Sequence, residues 1–410
     1  MRTIPWVRVT VAAVFITSFT TVKAYAQTTS GDDYATERAK AVLLAKEQRW
    51  LDGLPLFEDL YGKNPKDIFV LEGLAQSLLA HSVTVSDSQG AGKDRIRAKS
   101  LLEAAQQLGD RSQLSQNLLD TMKPLPASGE ITYADNADVQ AALKAGEAAF
   151  AKHDFDEAIK NYSRALELDP KSYAAALFIG DSYFAEKMFP PAGEWYDRAA
   201  KIDPNRETAY RYHEDMLTKQ GDFVGARTLG IEAVVAEPYN AIPWRGLVAW
   251  GNANHLPLKQ VHIQPGSNAA SAGENKVAIT VDPNQPPEIG AVWVAYSGTR
   301  ALWLKERFKK VFPQEKQYRH SLEEETDALT TAAKVAEETA GKSPDSAIAK
   351  DANIQLLLRI YLADMIEPYV LLNAADQGIA QDYAAYREKN REKLEKYLGD
   401  FVVPEAVKAP

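Results

Sequence analysis

The chain has 410 residues, 45% of them hydrophobic and 25% charged, an ordinary folded composition that excludes disorder of the whole chain. A net charge of −9 gives no overall electrostatic case for a nucleic-acid partner. With no cysteine, disulfides, thiolate metal sites, a cysteine nucleophile and a lipidated cysteine are excluded.

The first 26 residues carry the pattern of a secretory signal peptide. Arg2 and Arg8 give a positive start, Val9 to Val22 an apolar core, and Ala24-Tyr25-Ala26 the small-residue exit, so cleavage is expected after Ala26. Cleavage removes Arg2, Arg8 and Lys23 and no acid, taking the net charge from −9 to −12. No later stretch approaches 18 consecutive apolar residues, so no membrane span is expected after cleavage. An exported chain without disulfides suits the periplasm or exterior of a bacterium better than a eukaryotic secretory route.

Helical sequence runs from Tyr34 to about residue 122. It is interrupted by the polar stretch 83–94, "VTVSDSQGAGKD", which reads as an inserted loop. Its "DSQGAGKD" lacks the first glycine and the final Ser or Thr of a phosphate loop. The segment 123–138, rich in Pro, Gly and Asn, reads as a linker.

Three blocks of 34 residues follow: 139–172, 173–206 and 207–240. Pro170, Pro204 and Pro238 close them, each after an acid: Asp169, Asp203 and Glu237. Phenylalanine fills the seventeenth position of every block (Phe155, Phe189, Phe223). Alanine holds the twentieth (Ala158, Ala192, Ala226) and the twenty-seventh (Ala165, Ala199, Ala233). Gly146 and Gly180 share the eighth position, and Tyr162 and Tyr196 the twenty-fourth.

This pattern resembles the tetratricopeptide repeat (TPR) family. The resemblance implies two antiparallel helices per block, with small residues where the backbones approach. The acid–proline pair ends each second helix, because proline cannot continue one and restricts the residue before it. In weaker form the pattern extends back over 34–122, with Ala41, Trp50, Gly53 and Phe57 on its small and aromatic positions. Pro55 is expected near a helix start, where proline costs least. A second upstream unit fits only with about eleven residues inserted. Residues 241–254 read as a capping helix after the last block.

From residue 255 the period stops. "KQVHIQ", "KVAITVDP" and "AVWVAYSG" are short and β-branched and suggest two or three strands, with "PGSNAASAGEN" as a loop between them. Helical spacing returns from Thr299, so 255–410 reads as a smaller domain, α+β or mostly helical. The expected fold class is therefore mainly α: a TPR solenoid followed by that domain.

No catalytic motif stands out. The six histidines show no paired ligand spacing, and neither a cofactor nor a metal is called for. The acids of "HSLEEETD" read as a solvated helix face, and "KERFKKVF" as an amphipathic helix.

The family resemblance implies that positions two, five, nine and twelve of each first helix line a concave groove. Position nine holds Glu147, Asp181 and Asp215. Position twelve holds Phe150, Phe184 and Thr218, and position five holds Arg211 and Arg245 in the last units. A row of acids beside aromatics suits a basic or amphipathic partner segment. Alternatively, the acids pair within the groove, Asp215 with Arg211 four residues before it. The chaperone-binding TPRs use Lys and Asn at positions five and nine, which are absent here.

The resulting expectation is an exported, non-catalytic scaffold that binds a protein or peptide through the groove residues Glu147, Phe150, Asp181, Phe184, Arg211, Asp215 and Arg245. Two others stand beside it. One is an enzyme or enzyme subunit with its site in the C-terminal domain, near Trp293, Tyr296 and His320, or at its seam with the repeats. The other is a structural spacer.

Overall fold

A computed structural model describes residues 31–85, 88–122, 131–271, 277–340 and 345–406. The signal peptide and the first half of the expected linker, residues 123–130, lie outside the described residues. The chain divides into two compact units, one up to Gly246 and one from Leu247.

The described part of the first unit is helical: α1 (Gly31–Lys46), α2 (Trp50–Lys63), α3 (Ile68–Thr84), α4 (Ser88–Gln107), α5 (Gln113–Met122), α6 (Ala137–Ala151), α7 (Phe155–Leu168), α8 (Tyr173–Ala185), α9 (Phe189–Ile202), α10 (Glu207–Gln220) and α11 (Phe223–Ala236). Helix α12 (Ala241–Ala253) crosses the boundary between units. The 34-residue blocks are the hairpins α6–α7, α8–α9 and α10–α11. The two repeat groups are not separate bodies, since α3 packs against α6 within this unit.

The recurrent residues have physical reasons. The backbone N–H of the acid before each proline donates to the carbonyl of the twenty-seventh-position alanine, at 2.8 Å for Asp169 to Ala165, 3.1 Å for Asp203 to Ala199 and 3.2 Å for Glu237 to Ala233. The acid is thus the C-cap, and the proline stops the helix there. A Cβ on Gly146 would stand 2.2 Å from the Tyr162 ring, and one on Gly180 2.7 Å from the Tyr196 ring. The tyrosine therefore fills the space that glycine leaves.

The turn inside each hairpin is also shared. Gln48, His153, Lys187, Gly221 and His255 all take left-handed φ angles, between 55° and 79°. In each case the next residue's N–H reaches back five residues to a helix carbonyl (Asp154 to Ala149, Met188 to Tyr183, Asp222 to Leu217, Leu256 to Gly251, Arg49 to Leu44). The last four of these turn residues in chain order are spaced by the same 34-residue period. Helix α12 is therefore the first helix of a further unit whose second helix is replaced by irregular chain.

Two expectations fail in this unit. The stretch "SQGAGKD" is not a loop but the first turns of α4. Pro55 is the sixth residue of α2, inside the helix rather than at its start.

In the second unit, β1 (Ser267–Ser271) and β2 (Val277–Val281) form an antiparallel hairpin with Ala269 opposite Ile279. Then come α13 (Pro287–Leu302), α14 (Phe308–Val311), α15 (Leu322–Ala340), α16 (Ala347–Lys350), α17 (Ala352–Leu362), α18 (Ile366–Tyr369) and α19 (Tyr383–Tyr397). "KVAITVDP" holds a strand, but "AVWVAYSG" is helix α13. Its Val292, Trp293 and Tyr296 are buried at helical spacing beside Ile289; the β-branched residues lie on a helix face. "KQVHIQ" forms no strand. Its backbone is pinned instead, Lys259 N–H to the Val402 carbonyl and Ile263 N–H to the Tyr369 hydroxyl, both at 2.8 Å. Part of the expected loop "PGSNAASAGEN" is β1.

Candidate functional site

The acids at position nine are stitched into their own hairpins. The Tyr162 hydroxyl donates to Glu147 Oε1 at 2.7 Å, and the Tyr196 hydroxyl to Asp181 Oδ1 at 2.9 Å. Both carboxylates are buried, 4% and 2% exposed. Positions nine and twenty-four thus form one device: the acid on the first helix accepts from the phenol on the second.

The third block lacks that tyrosine, having Gly230 in its place. Here burial pushes the Asp215 carboxyl up, against the pull of Arg211 and Lys219. Arg211 does not hydrogen-bond Asp215. It turns back to Glu207, with Nε to Oε2 at 2.7 Å and Nη2 to Oε1 at 3.2 Å. Burial, then the neighbouring Asp215, pushes Glu214 up to about 8. Arg245 binds α5, with Nη2 to Asp120 at 2.6 Å and Nε to the Asn117 side chain at 2.8 Å. The arginines at position five therefore brace the first unit internally.

Phe150 and Phe184, at position twelve, line a cavity of about 490 Å³. Its other aromatic walls are Trp50, Phe155 and Phe189. Phe150 meets Phe155 edge-on with ring centroids 5.3 Å apart, and Phe184 meets Phe189 at 5.8 Å. The left-handed turn residues Gln48, His153 and Lys187 also line the cavity, and His153 Nε2 lies 3.1 Å from the Gln48 carbonyl. Of the expected groove residues, Glu147, Phe150 and Phe184 come together here.

Sequence reasoning missed Trp50 and the three lysines Lys46, Lys187 and Lys219, which also line the cavity. Lys219 stands over the Phe184 ring at 4.5 Å. Lys187 stands 34 residues before Gly221, at the same turn position of its block.

The second unit buries a separate polar cluster, and "HSLEEETD" is its centre rather than a solvated face. Glu324 and Glu325 are buried. Arg300 Nε binds Glu324 at 2.9 Å, the Tyr296 hydroxyl donates to Glu325 at 2.9 Å, and the Tyr318 hydroxyl donates to Glu324 at 2.8 Å. His320 sits between two carboxylates, Nε2 3.0 Å from Glu325 and Nδ1 2.9 Å from Asp376. Burial and Arg300 disfavour its cation, but the bonds to Glu325 and Asp376 outweigh them and raise its pKa. Among the described residues no group of His, Asp and Glu is arranged to hold a metal.

Residues 143–207 match the family model of the tetratricopeptide repeat. Those residues are tetratricopeptide repeats. No curated protein matches the chain. Among solved structures, the thermophilic TPR protein TTC0263 of Thermus thermophilus is 16% identical, covering 54% of this chain and 98% of its own, with a TM-score of 0.24. The TPR2AB domain of yeast Sti1, solved with pHSP90, is 16% identical over 53% of this chain and 95% of its own, at 0.25. Yeast Tom70 is 17% identical over 86% of this chain and 69% of its own, at 0.28. Among the described residues no helix is long and apolar enough to cross a membrane.

Proposed function

We propose that the chain is an exported, non-catalytic scaffold whose repeats hold a protein or peptide partner, with the aromatic cavity of the first unit as its contact. The observation that carries this reading is the meeting of Phe150 and Phe184, from successive first helices, with Trp50 from the upstream hairpin around one cavity. Stacked hairpins present such side chains in a fixed array, and a concave aromatic surface receives an apolar side chain of a partner. Export rests on the sequence of residues 1–26, and the mature chain is expected to begin at Gln27.

The test is affinity capture from the source cells with the native protein and with a Phe150→Ala/Phe184→Ala variant. A partner held by the first and lost by the second, with unchanged thermal melting, supports the reading. A partner retained by both removes the cavity from it. Amino-terminal sequencing of the exported protein tests the cleavage site.

A second reading places an enzymatic site in the second unit, and the His320 cluster favours it. Every member of that cluster is bonded to another member, the arrangement of a structural lock. An activity abolished by His320→Gln with melting unchanged would promote this reading above the scaffold.

A further inference from the structure

We infer, on the reading just proposed, that the cavity takes an internal segment of its partner in which acidic residues flank a large apolar side chain. The sequence pattern pointed the other way, to a basic segment facing the acids of position nine. The structure places those acids elsewhere in the chemistry. Glu147 lines the cavity but accepts the Tyr162 hydroxyl, and Asp181 accepts that of Tyr196. The other acid of the lining, Glu47, pairs with Arg49 at 3.2 Å.

The cations of the lining are differently placed. Of the three lysines, Lys46 and Lys187 are exposed and stand at the mouth, while Lys219 reaches over the Phe184 ring of the wall, where burial lowers its pKa to about 8. They come from three separate elements: the end of α1, the α8–α9 turn and the last turn of α10. Among the described residues no carboxylate pairs with Lys46 or Lys187. The uncommitted charge at the mouth is thus positive although the chain as a whole carries −9. Acids on the incoming segment complement it, steering the encounter and setting its orientation.

The interior selects an apolar side chain. Trp50, Phe150, Phe155, Phe184 and Phe189 present ring surfaces, and covering them removes apolar area from water. Trp50 is itself only 8% exposed, so it belongs to the wall rather than to the mouth.

The test uses the full chain and fluorescence anisotropy with a labelled peptide, Gly-Asp-Glu-Leu-Phe-Glu-Asp-Gly, acetylated and amidated so that no terminal charge contributes. One twin carries Lys in place of each acid, and another carries Ser in place of Leu and Phe. The acidic peptide is expected to bind about tenfold or more tightly than either twin. Its advantage over the basic twin should shrink with added salt and in Lys187→Glu, a change at an exposed residue that leaves folding intact.

Equal binding of the acidic and basic peptides, or an advantage untouched by Lys187→Glu, overturns the inference. Binding of decanoate with no binding of the acidic peptide also overturns it and makes the cavity a site for small apolar acids. Capture and peptide binding fail separately. A partner lost in the Phe150→Ala/Phe184→Ala variant while the peptides show no charge preference removes the acidic chemistry and leaves the scaffold reading standing.

Discussion

Both units bury carboxylates and hold them with tyrosine hydroxyls, but by different constructions. In the first unit each acid has one phenol, on the partner helix of the same hairpin, and the pair recurs from Glu147–Tyr162 to Asp181–Tyr196. In the second unit Tyr296, Arg300, Tyr318 and His320 converge on the adjacent Glu324 and Glu325. A repeated module needs a bond that each copy can make alone. A domain that closes once can join its polar groups into a single network. The third repeat shows what happens when the module loses its phenol: with Gly230 in place of tyrosine, Glu214 and Asp215 sit in a crowded acidic site where burial raises both.

The comparison is broken most severely by removing the centre of the network. Arg300→Met leaves Glu324 and Glu325 buried without their cation, and a loss of about 3–5 kcal/mol is expected in denaturant unfolding of the second unit. A small change would mean that the tyrosines and His320 alone hold the acids.

In the first unit, Gly146→Ala forces the Tyr162 ring aside. It should cost about 1–3 kcal/mol, read as a lower midpoint for the first unit alone.

Glu214 sharpens the contrast through pH. Its folded pKa, about 8, lies above the ordinary glutamate value of its unfolded state. Its contribution to stability is therefore fully present below that ordinary value and is lost as the pH rises toward about 8. Glu214→Gln should match the native protein in acid and be more stable at pH 8 by on the order of 1–3 kcal/mol. A variant less stable at both pH values would contradict this. His320, also raised, has the same sign. Its contribution fades as the pH rises through its folded pKa, so His320→Gln should flatten that part of the second unit's stability profile.

Tyr196→Phe removes the hydroxyl bond to Asp181 and leaves the packing of the ring. About 1–2 kcal/mol is expected by thermal melting, well below the effect of Arg300→Met. The smallest effect tests the shared turn. His255 is held at a φ of 55°, so His255→Gly should stabilise by about 0.5–1 kcal/mol.

The repeat half of the fold was legible because its packing is local. Gly146 meets Tyr162 and Ala165 accepts from Asp169 within a single block, so every copy shows the same residues at the same offsets. The left-handed turn was hidden because only Gly221 marks it, while His153 and Lys187 adopt the same conformation without a glycine. The second unit has no such period. Glu324 and Glu325 look like surface acids until Arg300, two dozen residues earlier, is placed beside them. Of the candidate site, Phe150 and Phe184 were readable from their register. Trp50 falls on an aromatic position of the upstream unit, but its place in the same cavity depends on the packing of α3 against α6, which no spacing reveals.

The account's central claim is that a partner contacts the first unit at the aromatic cavity. The most direct measurement is photo-crosslinking in the source cells from a benzophenone amino acid placed at Lys187, at the cavity mouth, and separately at Leu168, an exposed residue that does not line the cavity. The account predicts one discrete crosslinked protein from position 187, lost in Phe150→Ala/Phe184→Ala, and none from position 168. The same crosslink from both positions, or one from 187 that survives the double substitution, would contradict it.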